Sequence, residues 1–211
     1  MGGLNFGERF YQALANDPTY SQLIKKVELP SDSQLTKSKV SSTVGYIVGK
    51  TIGIGWRSVV HTNIHFKNCP IIMARIFKDK NGSFTTSFFS PLITSKNYTR
   101  TSCWIQPSKT EGRFIVKKVL GMRVSPKANE RNCPGSDAIE KDEKLLTDIL
   151  EVVRDARGFD CSIHLDVKDA GGLQVCETQW DCLNDKEIQP QEITKAFSCV
   201  LRIAEHVQEN L

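Results

Sequence analysis

The sequence IIMARIFKDKNGSFTTSFFS, residues 71–90, has the clearest strand-turn-strand pattern of the chain. It contains two runs rich in β-branched and aromatic residues, 71–78 and 84–90, on either side of a turn with Asn81-Gly82 at its centre. Residues of these types favour strands, and Asn-Gly supplies the two positive φ angles of a tight hairpin turn. The stretch therefore predicts an antiparallel β-hairpin.

The same strand-favouring pattern extends over residues 44–125, where glycines and turn dipeptides interrupt it. Five to seven antiparallel strands are expected there. Glycines within strands are typical of bulges and strong bends, and here they are Gly45, Gly49, Gly53 and Gly55. We therefore predict a curved antiparallel sheet, either open or partly closed into a barrel.

Residues 1–30 are predicted to form two short helices, because apolar residues recur at helical spacing. The spaced residues are Phe6, Phe10, Leu14, Tyr20, Leu23, Ile24 and Val27. Asp17-Pro18 supplies a cap and a first-turn proline for the second helix. Residues 31–43 are polar and lack apolar periodicity, which predicts a flexible loop, and the proline-containing segment 126–137 predicts a linker loop.

The remaining segment, 138–211, predicts an α-β-β-α order. A helix is expected over 138–157, strands over 159–167 and 173–180, and a last helix over 190–209. The apolar stripe of that last helix is Ile193, Phe197, Val200, Ala204 and Val207. The overall fold class is therefore α+β, with this helix-hairpin-helix either packed on the sheet as one compact unit or forming a small second lobe.

Charge is divided by position along the chain. Residues 1–131 contain 20 Lys+Arg against 7 Asp+Glu, whereas residues 132–211 contain 8 against 17. A division this large is typical of proteins whose charged surfaces face partners or each other. It defines a basic β region, 44–125, and an acidic C-terminal region.

Composition narrows the location of the protein. No window of this chain approaches the roughly 18 consecutive apolar residues of a membrane span, and the first residues lack the apolar core of a secretory signal. The 7 cysteines are odd in number and irregular in spacing, which favours reduced thiols. We expect an intracellular protein, cytoplasmic or nuclear, that does not engage a membrane.

Two motifs suggest ligand chemistry and fail on geometry. The glycines and lysine of 45–51 resemble a phosphate-binding loop, but they are one residue short and precede a strand-like run where that loop needs a helix. His61, His65 and Cys69 recur every four residues, yet in a strand such residues lie about 13 Å apart, too far to share one zinc ion. No metal ligand and no cofactor is predicted.

A third group, Ser162, His164 and Asp166, has the residue types of a hydrolytic triad. The three alternate on one face of a predicted strand, about 6.6 Å apart, and their side chains project in parallel, whereas a triad needs them to converge. A solvated strand face is the favoured interpretation, and no catalytic residue is predicted.

The basic, aromatic half predicts function best. Of the 17 aromatic residues, 14 precede residue 132, many beside a Lys or Arg. A curved sheet with cations around exposed rings can follow a phosphate backbone and stack bases. The predicted phosphate contacts are Arg57, Lys67, Arg75, Lys78, Arg113, Lys117, Lys118 and Arg123, and the predicted stacking residues are Trp56 and Trp104.

The main hypothesis is thus a non-enzymatic binding module for a polyanion, above all nucleic acid. The alternative is an adaptor subunit of a protein complex, which docks an acidic protein partner through oppositely charged surfaces. A third hypothesis, an enzyme that uses His164 or a cysteine, has the least support from the sequence.

Overall fold

The computed structural model describes residues 6–29, 61–78, 84–93, 101–111, 118–126, 133–155, 163–170, 173–182 and 188–211. Helices in these ranges are α1 Phe6–Ala15, α2 Pro18–Ser21, α3 Ser136–Lys141, α4 Glu143–Asp155 and α5 Pro190–Glu209. Strands are β1 Ile24–Glu28, β2 His61–Phe66, β3 Met73–Lys78, β4 Phe84–Pro91, β5 Ser102–Glu111, β6 Lys118–Pro126, β7 Ile163–Ala170 and β8 Leu173–Cys182. None of the helices described in these ranges is long and apolar enough to cross a bilayer.

The strands form one antiparallel sheet in the order β1-β2-β3-β4-β8-β7-β5-β6. The predicted α+β class with an antiparallel sheet and terminal helices is confirmed. Closure into a barrel is wrong, because β1 and β6 lie at opposite edges and no strand pair among the described residues joins them. At the β6 edge the Val124 amide donates instead to the side chain of Glu140 in α3.

The strand pairing of the hairpin predicted over residues 71–90 is confirmed. β3 and β4 pair from Met73 opposite Phe89 to Lys78 opposite Phe84. The turn with Asn81-Gly82 lies outside the described residues. Polar loop 31–43 and the glycine-rich run 44–60 also lie outside them.

The C-terminal hairpin takes a different position from the predicted one. β7 and β8 pair with each other as expected, but they enter the sheet between β4 and β5. A helix-hairpin-helix packed on the sheet is therefore wrong. Periodicity identified both strands because it is local, whereas each strand's second partner depends on long-range pairing that no local pattern specifies.

Helices cover one face of the sheet and close the core there. α5 buries all five residues of its predicted apolar stripe, and α1 buries Phe6, Phe10 and Leu14. The Phe197 ring lies 5.1 Å from that of Phe66 in β2, and the Phe10 ring lies 6.1 Å from that of Phe88 in β4. These contacts place a continuous aromatic core between the two helices and the sheet.

Two predicted helix boundaries are wrong. The second N-terminal helix ends at Ser21, and residues 24–28 form strand β1. Leu23, Ile24 and Val27 fit both a helical and a strand period over so short a run, and pairing with β2 decides in favour of the strand. The helix predicted over 138–157 is interrupted at Asp142, whose Oδ1 accepts a hydrogen bond from the Leu145 amide and caps α4.

Candidate polyanion interface on the sheet

The sheet face opposite the helices, here called the outer face, is the candidate functional surface. Alternate residues of β2, β3 and β4 (Ile64, Ile76 and Phe88) are buried in the core. The residues between them point to the outer face, where Asn63, Arg75 and Ser87 are consecutive cross-strand neighbours. The same alternation places Trp104 of β5 and Arg123 of β6 on this face.

The ten predicted binding residues fall into three groups. Arg75 and Lys67 are exposed on or beside β2 and β3, while half-buried Trp104 and exposed Arg123 lie four and five strands from β3. Lys78 is the last residue of β3 and Lys118 the first of β6. The other four lie outside the described residues: Trp56, Arg57, Arg113 and Lys117.

The predicted residues do not form one patch. Arg75 and Trp104 are separated by four strand spacings, about 19 Å. Between them the centre of the outer face is buried, since Ser87 is 1% and Glu177 of β8 is 4% exposed. Because β7 and β8 come from the acidic part of the chain, the charge division along the sequence does not divide the sheet into a basic and an acidic half.

One group of cations does come together, at the β1 end of the sheet. We call the exposed side chains of Lys25, Lys26, Lys67 and Arg75 the basic flank. Lys26 pairs with His65 of β2. Lys67 follows β2, and its backbone amide donates a hydrogen bond to the Leu23 carbonyl. Lys25 and Lys26 are not among the predicted binding residues, because the sequence pattern predicts a helix for their segment. Adjacent lysines in a short apolar run are nevertheless typical of an edge strand.

Among the described residues, one carboxylate, that of Glu28, lies beside these cations. Its Oε1 is 2.7 Å from Lys26 Nζ and 3.6 Å from His65 Nε2, and its Oε2 accepts from Asn63 Nδ2 at 3.2 Å. The hydrogen bond from Lys26 and then that from Asn63 hold the pKa of Glu28 below its usual value. Glu28 is therefore ionised at neutral pH, and the flank keeps about three net positive charges.

An aromatic ring supports the arginine of the flank. The Arg75 guanidinium lies 5.8 Å from the centroid of the half-buried Phe89 ring, within the range of a cation–π contact. Arg75 Nε also donates to Asn63 Oδ1 at 3.3 Å, and Asn63 in turn contacts Glu28. These contacts hold the guanidinium beside the Phe89 ring on the outer face, and its terminal N–H groups remain as further donors.

The opposite end of the sheet has a different character. There Gln106 Nε2 donates to Ser125 Oγ at 2.9 Å, beside Trp104 and the exposed Arg123. The neighbouring helices α3 and α4 pack against β6 and bring acidic residues to it. Among the side chains of β5 and β6 that the structure describes, Arg123 is the one cation, and beside acidic helices it attracts a polyanion much more weakly than the four cations of the basic flank.

Burial disfavours the thiolate form of three described cysteines, Cys69, Cys133 and Cys199. A hydrogen bond with Cys103 and burial together raise the pKa of the Cys133 thiol, and burial raises that of Cys199 to about 12. These thiols are protonated at neutral pH, which disfavours nucleophilic attack. His65 contacts Glu28, and Cys69 Sγ donates to the Ile71 carbonyl. No group of three or more potential metal ligands occurs among the residues that the structure describes.

Asp142 is the centre of an ionic cluster with two residues of α5. Its Oδ2 lies 2.6 Å from Arg202 Nε and 2.8 Å from His206 Nε2, both on α5. Burial raises the pKa of Asp142, but the hydrogen bonds from His206 and the Leu145 amide and the charge of Arg202 more than offset this and lower it overall. The cluster fixes the junction of α3 and α4 on α5, which is a structural role.

The chain matches no protein-family model, no curated protein sequence and no solved structure.

Proposed function

We propose that this protein is a non-enzymatic binding module that holds single-stranded nucleic acid on its basic flank. The observation that carries the proposal is the grouping of four exposed cations at the β1 end of the sheet, one of which, Arg75, lies over a phenylalanine ring. The cations come from three adjacent strands. By the strand register, the backbone of Arg75 lies about 12 Å from that of Lys26 and about 14 Å from that of Lys67.

The physical logic is counterion release together with stacking. Each phosphate that pairs with a lysine or arginine releases condensed counterions, which favours binding at low salt. Arg75 offers a planar guanidinium on which an unstacked base can lie, and half-buried Phe77 and Phe89 add aromatic surface on the same strands. Bases in a duplex are already stacked, so a single strand is the expected ligand.

The test is fluorescence anisotropy with labelled single- and double-stranded 20-nucleotide RNA and DNA between 50 and 200 mM salt. We expect the single strands to bind more tightly. Lys67→Gln combined with Arg75→Gln should weaken this binding about tenfold or more and make the salt slope shallower by about 1.4, for two lost phosphate contacts. The matched control is Lys141→Gln with Lys144→Gln, two exposed lysines on the helix side. No binding by the folded wild type, or equal losses in both variants, would contradict the proposal.

An acidic protein surface is the second candidate ligand, because exposed apolar side chains adjoin the flank. Leu29 follows β1 and is 47% exposed, and Ile72 precedes β3 and is 42% exposed. Apolar surface next to cations suits a protein partner better than a phosphate backbone. Ile72→Ser distinguishes the two ligands, since it should weaken the binding of an acidic protein and leave oligonucleotide binding unchanged.

A further inference from the structure

A groove on the helix side of the molecule is separate from the basic flank. It lies between the C-terminal half of α1 and the start of α5 and has a volume of about 610 Å³. Its floor is apolar and consists of the buried side chains of Ala13, Ile188 and Ile193. A cavity of this size is within the range of specific ligand sites.

The rim of the groove is rich in carboxamides. Gln12 and Asn16 line it from α1, and Gln191 lines it from the first turn of α5. All three residues are exposed. A side-chain carboxamide presents one acceptor and two donors, the same kinds of group that a peptide backbone presents, so such a rim can hydrogen-bond an extended chain whatever its sequence.

Opposite charges mark the two ends of the groove. Arg9 is held at one end, where its Nη1 donates to the Ile188 carbonyl at 3.4 Å and its guanidinium lies 5.6 Å from the Phe6 ring centroid. Asp17 stands at the other end and caps α2 by accepting from the Thr19 amide at 2.8 Å. Eight residues of α1 and its C-terminal turn separate the backbones of Arg9 and Asp17 by about 12 Å along the helix axis.

The N-terminus of α5 does not make the groove an anion site. Gln189 and Glu192 form a capping box, in which Glu192 Oε2 accepts from the Gln189 amide at 2.6 Å. A carboxylate of the chain itself therefore already occupies the positive end of this helix. The ligand must instead match an apolar floor, a carboxamide rim and two opposite terminal charges.

We propose that the groove binds a short extended peptide segment of a partner protein, with an acidic residue against Arg9 and a basic residue against Asp17. At about 3.3 Å per residue, a strand spans the 12 Å between the backbones of Arg9 and Asp17 in about four residues. The preferred segment thus has its two charged residues four positions apart. The residue midway between them shares their face of the strand and is apolar, so that it lies over Ala13 and Ile193. Because the groove lies on the helix side, peptide and nucleic acid can bind the same molecule.

The test uses two fluorescein-labelled peptides of the same composition. One is Glu-Thr-Val-Thr-Lys, with the charges four positions apart and the valine on their face, and the other is Thr-Val-Glu-Lys-Thr, with the charges adjacent. By fluorescence anisotropy we expect the spaced peptide to bind at least about fivefold more tightly, since only it reaches both ends of the groove. Equal affinities, or no binding of the spaced peptide to the wild type, would overturn the proposal.

Two variants tie the preference to the groove. Asp17→Asn removes the charge and keeps a good helix cap, so that folding is preserved, and Arg9→Gln removes the charge at the other end. Each should abolish the preference for the spaced peptide, while Lys141→Gln should retain it. A preference that survives both variants would show that the groove does not read the charges. Excess oligonucleotide should not displace the peptide, which keeps this result independent of the basic flank.

Discussion

The two ends of the sheet use basic strands in opposite ways. At the β1 end, Lys25, Lys26, Lys67 and Arg75 are exposed around a single carboxylate. At the β6 end, acidic helices pack against the edge strand. There the Glu140 carboxylate accepts a hydrogen bond from the Val124 amide, which would otherwise face solvent. Both ends belong largely to the basic part of the sequence, yet only one presents a surplus of positive charge among the described residues.

The position of a charged residue in the sequence therefore does not give its position in the folded protein. The acidic part of the chain contributes two strands to the middle of the sheet and helices to the β6 end. It therefore neutralises the far end and leaves the near end basic. A helix that covers an edge also prevents pairing with other chains there.

A steric clash among the helices that cover the β6 end, here called the covered end, should have the largest effect on stability. Gly135, just before α3, has φ +77°, and a Cβ at this position would lie 2.6 Å from the His206 carbonyl oxygen. Because backbone cannot move aside cheaply, Gly135→Ala should lower the free energy of unfolding by roughly 2 to 4 kcal/mol in urea denaturation.

The control for that change is Gly121→Ala on β6. Its Cβ would lie 2.8 Å from Ser108 Oγ, a small side-chain group that can rotate away, so a loss below about 1 kcal/mol is expected. If the ends are as separate as we infer, folded Gly135→Ala protein keeps the wild-type salt slope for oligonucleotides. A changed slope at full folding would show that the two ends are coupled.

Local pattern predicted much of the fold. The β3–β4 hairpin, the β7–β8 hairpin and the apolar stripe of α5 each follow from a period of 2 or 3.6 in consecutive residues. The position of β7 and β8 between β4 and β5 could not be predicted, because it depends on pairing between residues 58 to 98 positions apart in the chain.

Prediction of the site was limited for the same reason. Arg75 and Lys67 were identified from composition, but Lys25 and Lys26 join them only because residues 24–28 pair with β2. Conversely, Trp104 and Arg123 are as basic and aromatic in their sequence context as Arg75, and the inserted hairpin separates them from it. Composition identifies candidate residues, whereas strand order decides which of them can act together.

Breaking the ionic cluster at the covered end should have an intermediate effect. Asp142→Asn keeps an acceptor for the Leu145 amide but weakens the contacts with Arg202 and His206, and we expect a loss of about 1 to 2 kcal/mol at neutral pH. Folding lowers the pKa of Asp142 below its ordinary value of 3.8. The ionised carboxylate therefore stabilises the folded protein at pH values above 3.8.

That stabilisation should disappear as the pH falls below 3.8 and through the lowered pKa, because the wild-type carboxyl then becomes protonated. Urea denaturation of both proteins from pH 7 to pH 3 measures it. The difference between them should be constant down to about pH 5 and shrink below pH 4. A difference that is the same at pH 3 and pH 7 would show that the charge of Asp142 is not what holds the helices.

The smallest effect is expected from making the exposed end more basic. Glu28→Gln removes the one carboxylate of the basic flank and keeps a side chain that can accept from Asn63. Because Glu28 is exposed and its pairing with Lys26 is screened by water, stability should change little. Oligonucleotide affinity should rise about two- to fivefold at 50 mM salt, and the gain should shrink at 200 mM as screening increases.

The matched change at the covered end, Glu140→Gln, should leave the affinity unchanged. Equal gains from both substitutions would mean that the ligand responds to total charge, and the distinction between the two ends would then not extend to binding.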